Sequence, residues 1–251
     1  MMTTAESTQA IVTADAPSRP SSAAAPRFRT KLRYTNREDK AAYVYDKYRP
    51  ILDGKSILDV GADRCYLRRH LPETSRYWGV GFGEVDQEID LETGKLPFED
   101  NAYQSVLCLD VLEHLEHCHA VFDELCRVAS EHVVISLPGP MASAWGAMRS
   151  GPYSQDTTLK FYGLPVDPPE DRHRWFFTYD EARRFVVERG RRNGMEPVEV
   201  GGKGPAPREW SRLRRWAMRV LLSPEFDTEQ LFRGTLWAVL GKPAASQREA
   251  A

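Results

Sequence analysis

Residues Ser56–Leu71 read SILDVGADRCYLRRHL. Ile57, Leu58, Asp59 and Val60 have the pattern of a buried strand that ends on an acidic residue. Gly61 supplies a turn. A Tyr66–Leu67–Arg68 run with helical spacing follows, and predicts a helix from about Arg64 to Pro72. A strand, a tight turn and a helix open a doubly wound α/β domain, and the crevice at that turn is where such folds bind nucleotides.

Working outward, the chain continues the alternation. Apolar runs at Arg76–Gly81, Glu88–Leu91, Ser105–Leu109 and His132–Leu137 predict further strands. Ser105–Leu109 is unbroken, as expected of a strand buried on both faces of a parallel sheet. Leu115, Val121, Phe122, Leu125 and Val128 mark the inward stripe of a helix over about Leu115–Ala129. Thr178 and Glu181 have capping-box spacing, so a helix is expected from there to about Arg192, ended by Asn193-Gly194. Pro197–Val200 and Phe232–Leu240 complete seven strands. Alternation of this kind predicts one mostly parallel sheet with right-handed crossovers.

Upstream, Thr35 and Glu38 predict a capping box for a helix carrying Ala41, Ala42, Tyr45 and Tyr48, and Asp53-Gly54 turns into the first strand. Residues 1–30 are rich in Ala, Ser, Thr and Pro and read as a disordered tail, as do residues 243–251. Residues 31–242 then form a single domain. Within it, residues 140–175 break the rhythm with several prolines and aromatics, and read as an ordered lid over the site. Ser211–Leu222 reads as an amphipathic helix with Trp216 beside Arg212, Arg215 and Arg219. It is either a wall of the sheet or a surface for peripheral membrane contact.

Composition narrows the class. The chain has 251 residues, 28% charged, with formal net charge −2, so no global field favours nucleic acid. No apolar run approaches the roughly 20 residues of a membrane span. Cys65, Cys108, Cys118 and Cys126 form no CxxC pair and read as reduced thiols of a cytoplasmic protein.

Three stretches together resemble the class I, Rossmann-like, S-adenosylmethionine-dependent methyltransferases: Ile57-Leu58-Asp59-Val60-Gly61, the run Asp90–Asn101, and Cys108–Leu115. The likeness is good over about 50–140 and in outline over 175–240. It implies a seven-stranded sheet, mostly parallel, with the last strand antiparallel, and S-adenosyl-L-methionine as cofactor. By the same resemblance, Asp59 orients the cofactor through the loop. Gly61 and Ala62 lie against its methionine part, with Asp63 on the pocket floor. Asp90 and Leu91 face the adenine, and Leu109 and Asp110 lie beside the methyl group.

Two departures stand out. Asp63 and Cys65 replace glycines of the family's loop, where positive φ or close ligand approach is needed. Asp tolerates left-handed backbone and Cys is small, so the turn is expected to survive. At the end of the second strand Gly81 stands where the family has a carboxylate for the ribose hydroxyls. Glu84 is expected to reach in instead, with Asp86 as the other candidate. Loss of that carboxylate would remove charged hydrogen bonds worth about 1.5–3 kcal/mol each.

Methyl transfer to oxygen often needs a base. His114 follows the fourth strand, and His173 ends the lid in Asp171–Phe177, a cluster suited to an anionic or glycosidic substrate. The structural alternatives are a helix-start histidine and an aromatic lid anchor. Asp110 and Glu113 have two readings: orienting a histidine, or favouring a helix N-terminus. His114, His117 and Cys118 share a helical face but lack a fourth ligand, so no metal is expected there. The expected function is methyl transfer to a small molecule or glycan at oxygen or nitrogen. The alternative is a non-catalytic binding or scaffold protein with the same fold.

Overall fold

In the computed structural model the described residues are 27–150, 161–164, 166–169, 171–203 and 228–243. The expected helix Ser211–Leu222 lies outside them, as do most residues of both expected tails. The chain runs α1 (Arg37–Tyr48), β1 (Ser56–Val60), β2 (Arg76–Gly81), β3 (Gln87–Glu88), β4 (Tyr103–Leu109), α2 (Cys118–Val128) and β5 (Ala129–Pro138). It continues with α3 (Pro140–Ser150), α4 (Tyr179–Arg192), β6 (Glu196–Lys203) and β7 (Thr235–Gly241).

The seven strands form one sheet in the order β3-β2-β1-β4-β5-β7-β6. β1 pairs in parallel with both β2 and β4, and β4 with β5. β7 inserts antiparallel between β5 and β6. The expected seven-stranded α/β sheet with an antiparallel last strand is therefore the observed one. Strand order reverses between β1 and β4, which puts the ligand crevice of such a fold beyond Val60 and Leu109.

Side chains alternate across the sheet with the strand period of two. Leu58, Val60, Val106, Cys108, Val133 and Ile135 face α2 and α4, where Phe122, Leu125 and Val186 close one core. Ile57, Leu107, Val134, Trp237 and Val239 face the other way, against Val44, Tyr48 and Leu52. Burying each such side chain contributes about 1.5–3 kcal/mol. On this second face Trp237 sits among Tyr34, Tyr43 and Tyr48, with ring centroids 5.3–6.3 Å apart.

Several local expectations differ from what forms. The stretch after β1 makes only a 3-10 turn, Tyr66–His70, because Cys65 before it is left-handed and Pro72 ends it. The face that an α-helix would cover there is covered mainly by α1. α1 is capped by Asn36, whose side chain accepts from the Asp39 amide, rather than by Thr35 with Glu38. Thr35 instead bonds the Asp39 carboxylate at 3.2 Å. β3 is two residues long, and Leu91–Thr93 is a 3-10 turn. Within the expected tail Phe28 is buried, its amide donates to Glu199 at 2.8 Å, and its ring packs on Tyr48. Part of the 140–175 stretch is the helix α3. The Thr178–Glu181 capping box forms as expected and starts α4. The cysteines are free and buried. Among the described residues, no helix is long and apolar enough to cross a membrane.

Candidate active site

The loop after β1 closes on itself. Gly61 has φ +80, and a Cβ there would lie 2.3 Å from Val111 Cγ2, so only glycine fits. The Gly61 and Ala62 amides both donate to the Val80 carbonyl, at 2.8 and 3.1 Å. Asp63 and Cys65 adopt φ of 56° and 51°, the left-handed conformation that the glycine pattern requires. The Cys65 side chain finds room because its neighbour Gly79 has none. A Cβ on Gly79 would stand 2.4 Å from Cys65 Sγ.

The loop after β2 leans on the first. Gly81 has φ +129, and a Cβ there would meet Gly61 Cα at 3.1 Å. At Gly83 it would meet the Asp63 carbonyl oxygen at 2.6 Å. The carboxylates nearby have cationic partners. Asp63 pairs with Arg37 at 2.5 Å and Glu84 with Arg64 at 3.5 Å, Glu84 being largely in solvent. Asp86 accepts from the Gly79 amide at 2.8 Å and pairs with Arg68. Below them Asp59 is buried and accepts from the Tyr77 hydroxyl at 2.6 Å. Burial pushes its carboxyl up to about 6, against the opposing pull of Tyr77 and Lys40. Asp90 is exposed, and its Oδ1 accepts from the Glu92 amide at 2.9 Å, which starts the turn that buries Leu91.

The edge beyond β4 is built differently. Half-buried Leu109 ends the strand, and Asp110 follows with φ 56°. The Asp110 carboxylate receives Lys40 Nζ at 2.6 Å and the Ser136 hydroxyl at 2.6 Å. A 3-10 turn, Leu112–His114, then carries Glu113 inward. The Glu113 side chain is fully buried, and neither oxygen accepts a hydrogen bond. Burial, and then Asp110, push its carboxyl well up. His114 Nε2 lies 3.7 Å from Glu113 Oε1, and His114 Nδ1 lies 2.6 Å from Asp171 Oδ1, out of line for a hydrogen bond.

The segment after Asp171 is laid onto that turn by hydrogen bonds to the turn's main-chain carbonyls. The Arg174 amide donates to the Glu113 carbonyl at 2.7 Å, and the Trp175 indole to the Leu115 carbonyl at 2.7 Å. His173 stacks on Phe161 with centroids 4.2 Å apart. Its Nδ1 is 2.9 Å from the Tyr162 hydroxyl, and its ring meets His114 edge-on at 4.5 Å. Burial, and then His114, hold the His173 imidazole down to about 4, so it is neutral at physiological pH.

The structure thus brings together His114 and His173, which lie far apart in the chain, and adds Glu113 and Asp171 to them. His117 turns instead to Glu92, at 3.4 Å, and Cys118 is buried against His119. Lys40, Ser136, Tyr77 and Tyr162 were not legible as site residues. Each acts on a partner distant in sequence, and spacing carries no signal for that.

The family model for a methyltransferase domain matches residues 73–136. That span covers β2, β3, β4, α2 and most of β5, and begins after the Gly61 loop. No curated protein matches the chain. Among solved structures, an S-adenosylmethionine-dependent methyltransferase from Archaeoglobus fulgidus is similar at 18% identity and a TM-score of 0.52. The likeness covers 82% of this chain and 95% of that one. The [4+2]-cyclase SpnF is similar at 12% identity and a TM-score of 0.51, over 83% of this chain and 81% of that one. A cyclase on this fold means that the fold alone does not fix the reaction. The strand order, and the match over residues 73–136, make the chain similar to the class I, Rossmann-like, methyltransferase domains.

Proposed function

We propose that the chain is an S-adenosylmethionine-dependent methyltransferase acting on a small-molecule or glycan acceptor at oxygen or nitrogen. The observation that carries this reading is the shared location of Asp59–Asp63, Asp90–Leu91 and Leu109–Asp110. They cluster around the carboxyl ends of β1, β3 and β4, beside the strand-order reversal.

The fit of the cofactor to these residues is partial. Asp90 spends Oδ1 on its own turn. The end of β2 offers Gly81 and no carboxylate for a ribose, and Glu84 pairs with Arg64. When bound, the cofactor supplies an electrophilic methyl group. The chain's part is alignment of the acceptor for in-line displacement, which is an entropic contribution. Asp110, fixed by Lys40 and Ser136, forms a rigid wall at that edge. His173, neutral and half-buried, and His114, beside Asp171, are the groups placed to take an acceptor proton.

Calorimetric titration with S-adenosylmethionine and its demethylated product tests the pocket. Micromolar to millimolar binding is expected, and Asp59→Ala and Asp90→Ala should each weaken it by about one decade, the loss of one charge-assisted hydrogen bond. No binding at millimolar cofactor, or unchanged affinity in both variants, overturns the reading. A second reading is a non-catalytic binding protein. Gly81, and the engagement of the Gly61 and Ala62 amides with Val80, favour it. Transfer of a labelled methyl group to any component of a cell extract would exclude it.

A further inference from the structure

The described His, Cys, Asp and Glu residues converge in one group of metal-ligand type, Glu113, His114 and His173. One donor atom from each lies within 4.8 Å of the others. We propose that these three side chains form a site for a borderline divalent transition-metal ion, of the zinc, cobalt(II) or iron(II) class.

Glu113 is the first reason. Its side chain has no exposure to solvent, and neither carboxylate oxygen accepts a hydrogen bond. An unpaired polar group so placed is costly, and native proteins satisfy such groups with a partner, a proton or a metal. A proton does not settle the matter. A protonated carboxyl would still have no acceptor within reach, His114 Nε2 being 3.7 Å away and neither Glu113 oxygen having a hydrogen-bond partner. A cation between Glu113 and the imidazoles would compensate the carboxylate directly.

The outer partners are the second reason. Each imidazole has its Nδ1 beside an oxygen from a different part of the chain: Asp171 Oδ1 at 2.6 Å for His114, and the Tyr162 hydroxyl at 2.9 Å for His173. The His173–Tyr162 bond is how a metal-binding histidine is held, with one nitrogen fixed and the other left for the ion, and for His114 the Asp171 carboxylate is close by but out of line for that bond. Drawing three donors to about 2.0–2.2 Å from a common ion brings them about 3.5 Å apart. From donors within 4.8 Å of one another, that is a closure of about an ångström.

Two imidazoles and one carboxylate select borderline ions over magnesium or calcium, which prefer all-oxygen shells. Three protein ligands also leave coordination positions open, as in catalytic sites. On the methyl-transfer reading, and only for this further role, those positions would take an oxygen of the methyl acceptor. The ion would make the acceptor's hydroxyl acidic enough to give its proton to solvent, in place of His114 or His173 as base. The His114–His117–Cys118 set has no such support, since His117 is exposed and turned to Glu92.

The test is a Co²⁺ titration of the metal-stripped full chain without any cofactor, followed by visible absorption and calorimetry. One equivalent is expected, with ligand-field bands of a nitrogen–oxygen site and a rise in thermal midpoint. Glu113→Gln and His173→Ala should weaken binding by more than about a hundredfold, and Asp171→Asn by about 10–100-fold, as expected for an outer partner. His117→Ala should leave affinity unchanged. Absence of stoichiometric binding by the unaltered chain overturns the proposal, as does equal affinity in folded Glu113→Gln. Because Glu113→Gln could fold poorly, loss of the Co²⁺-induced rise in midpoint in His173→Ala gives an independent readout. Metal binding without S-adenosylmethionine binding would leave this site standing and remove the methyl-transfer reading. The converse would do the reverse.

Discussion

Two edges of the same sheet meet at the candidate site, and they are built on opposite principles. Beyond β1 and β2, the loop amides and carboxylates have partners within the protein. The Gly61 and Ala62 amides are spent on Val80, and Asp63, Glu84 and Asp86 each face an arginine. Beyond β4, Glu113 is buried with no hydrogen bond, His114 Nδ1 lies beside Asp171 without one, and His173 is held through Nδ1 alone. An edge whose groups are paired internally contributes chiefly stability. An edge that leaves buried polar groups open has sites for something else to bind. The first edge should therefore respond to substitution mainly in folding free energy, with cofactor affinity read at Asp59 and Asp90, and the second in acceptor and metal affinity.

The sharpest way to break that contrast is at Gly61. Gly61→Ala places a methyl against Val111 in a left-handed backbone, and should cost about 3 kcal/mol or more, read from the urea midpoint. A loss under about 1 kcal/mol would mean that the two loops are not in fixed contact.

Asp59 gives the next largest effect. Its carboxyl is raised in the folded chain to about 6 from an ordinary value of 3.8. Its protonated form therefore adds stability that is complete below about pH 4 and lost as pH rises through 6. Asp59→Asn cannot lose that proton. It should be more stable than the unaltered chain at pH 7, by on the order of 2 kcal/mol, with a flatter profile between pH 4 and 7. Denaturant midpoints across that range check the sign. A variant that is less stable at pH 7 would show that Asp59 earns its place by folding and not by binding.

Lys40→Met probes the joint between the two edges. It removes the cation from Asp110, which keeps some contact with water, so the expected loss is about 1 kcal/mol. Addition of Asp110→Asn should restore part of it, and a double-mutant cycle measures the coupling. The smallest effect is expected at Asp63→Gly. Relief of the left-handed backbone and loss of the exposed Arg37 pair oppose one another, and the net change should stay within about 0.5 kcal/mol.

Particular elements explain how far the sequence could be read. The strands were legible because a parallel strand buried on both faces is a continuous apolar run, and Ser105–Leu109 falls within β4. The Thr178–Glu181 cap was legible because both partners lie within one turn. The helix expected after β1 was not realised, because left-handed Cys65 and Pro72 leave room for only a 3-10 turn. Asp63 and Cys65 could be named as departures from glycine. Their left-handed backbone, and the complement between Cys65 and Gly79, required the packed sheet.

By itself, then, the sequence determined the α/β class, the seven-stranded sheet, and the positions of Asp59, Asp90, Asp110 and His114 near strand ends. Those follow from periodicity and from local motifs, which act over a few residues. Only the tertiary structure decided which groups those side chains face. Lys40 reaches Asp110 across 70 residues, and His173 meets His114 through a segment laid onto the turn after β4. Whether a carboxylate is paired or left open depends on burial and on partners from distant segments, and local spacing does not encode either.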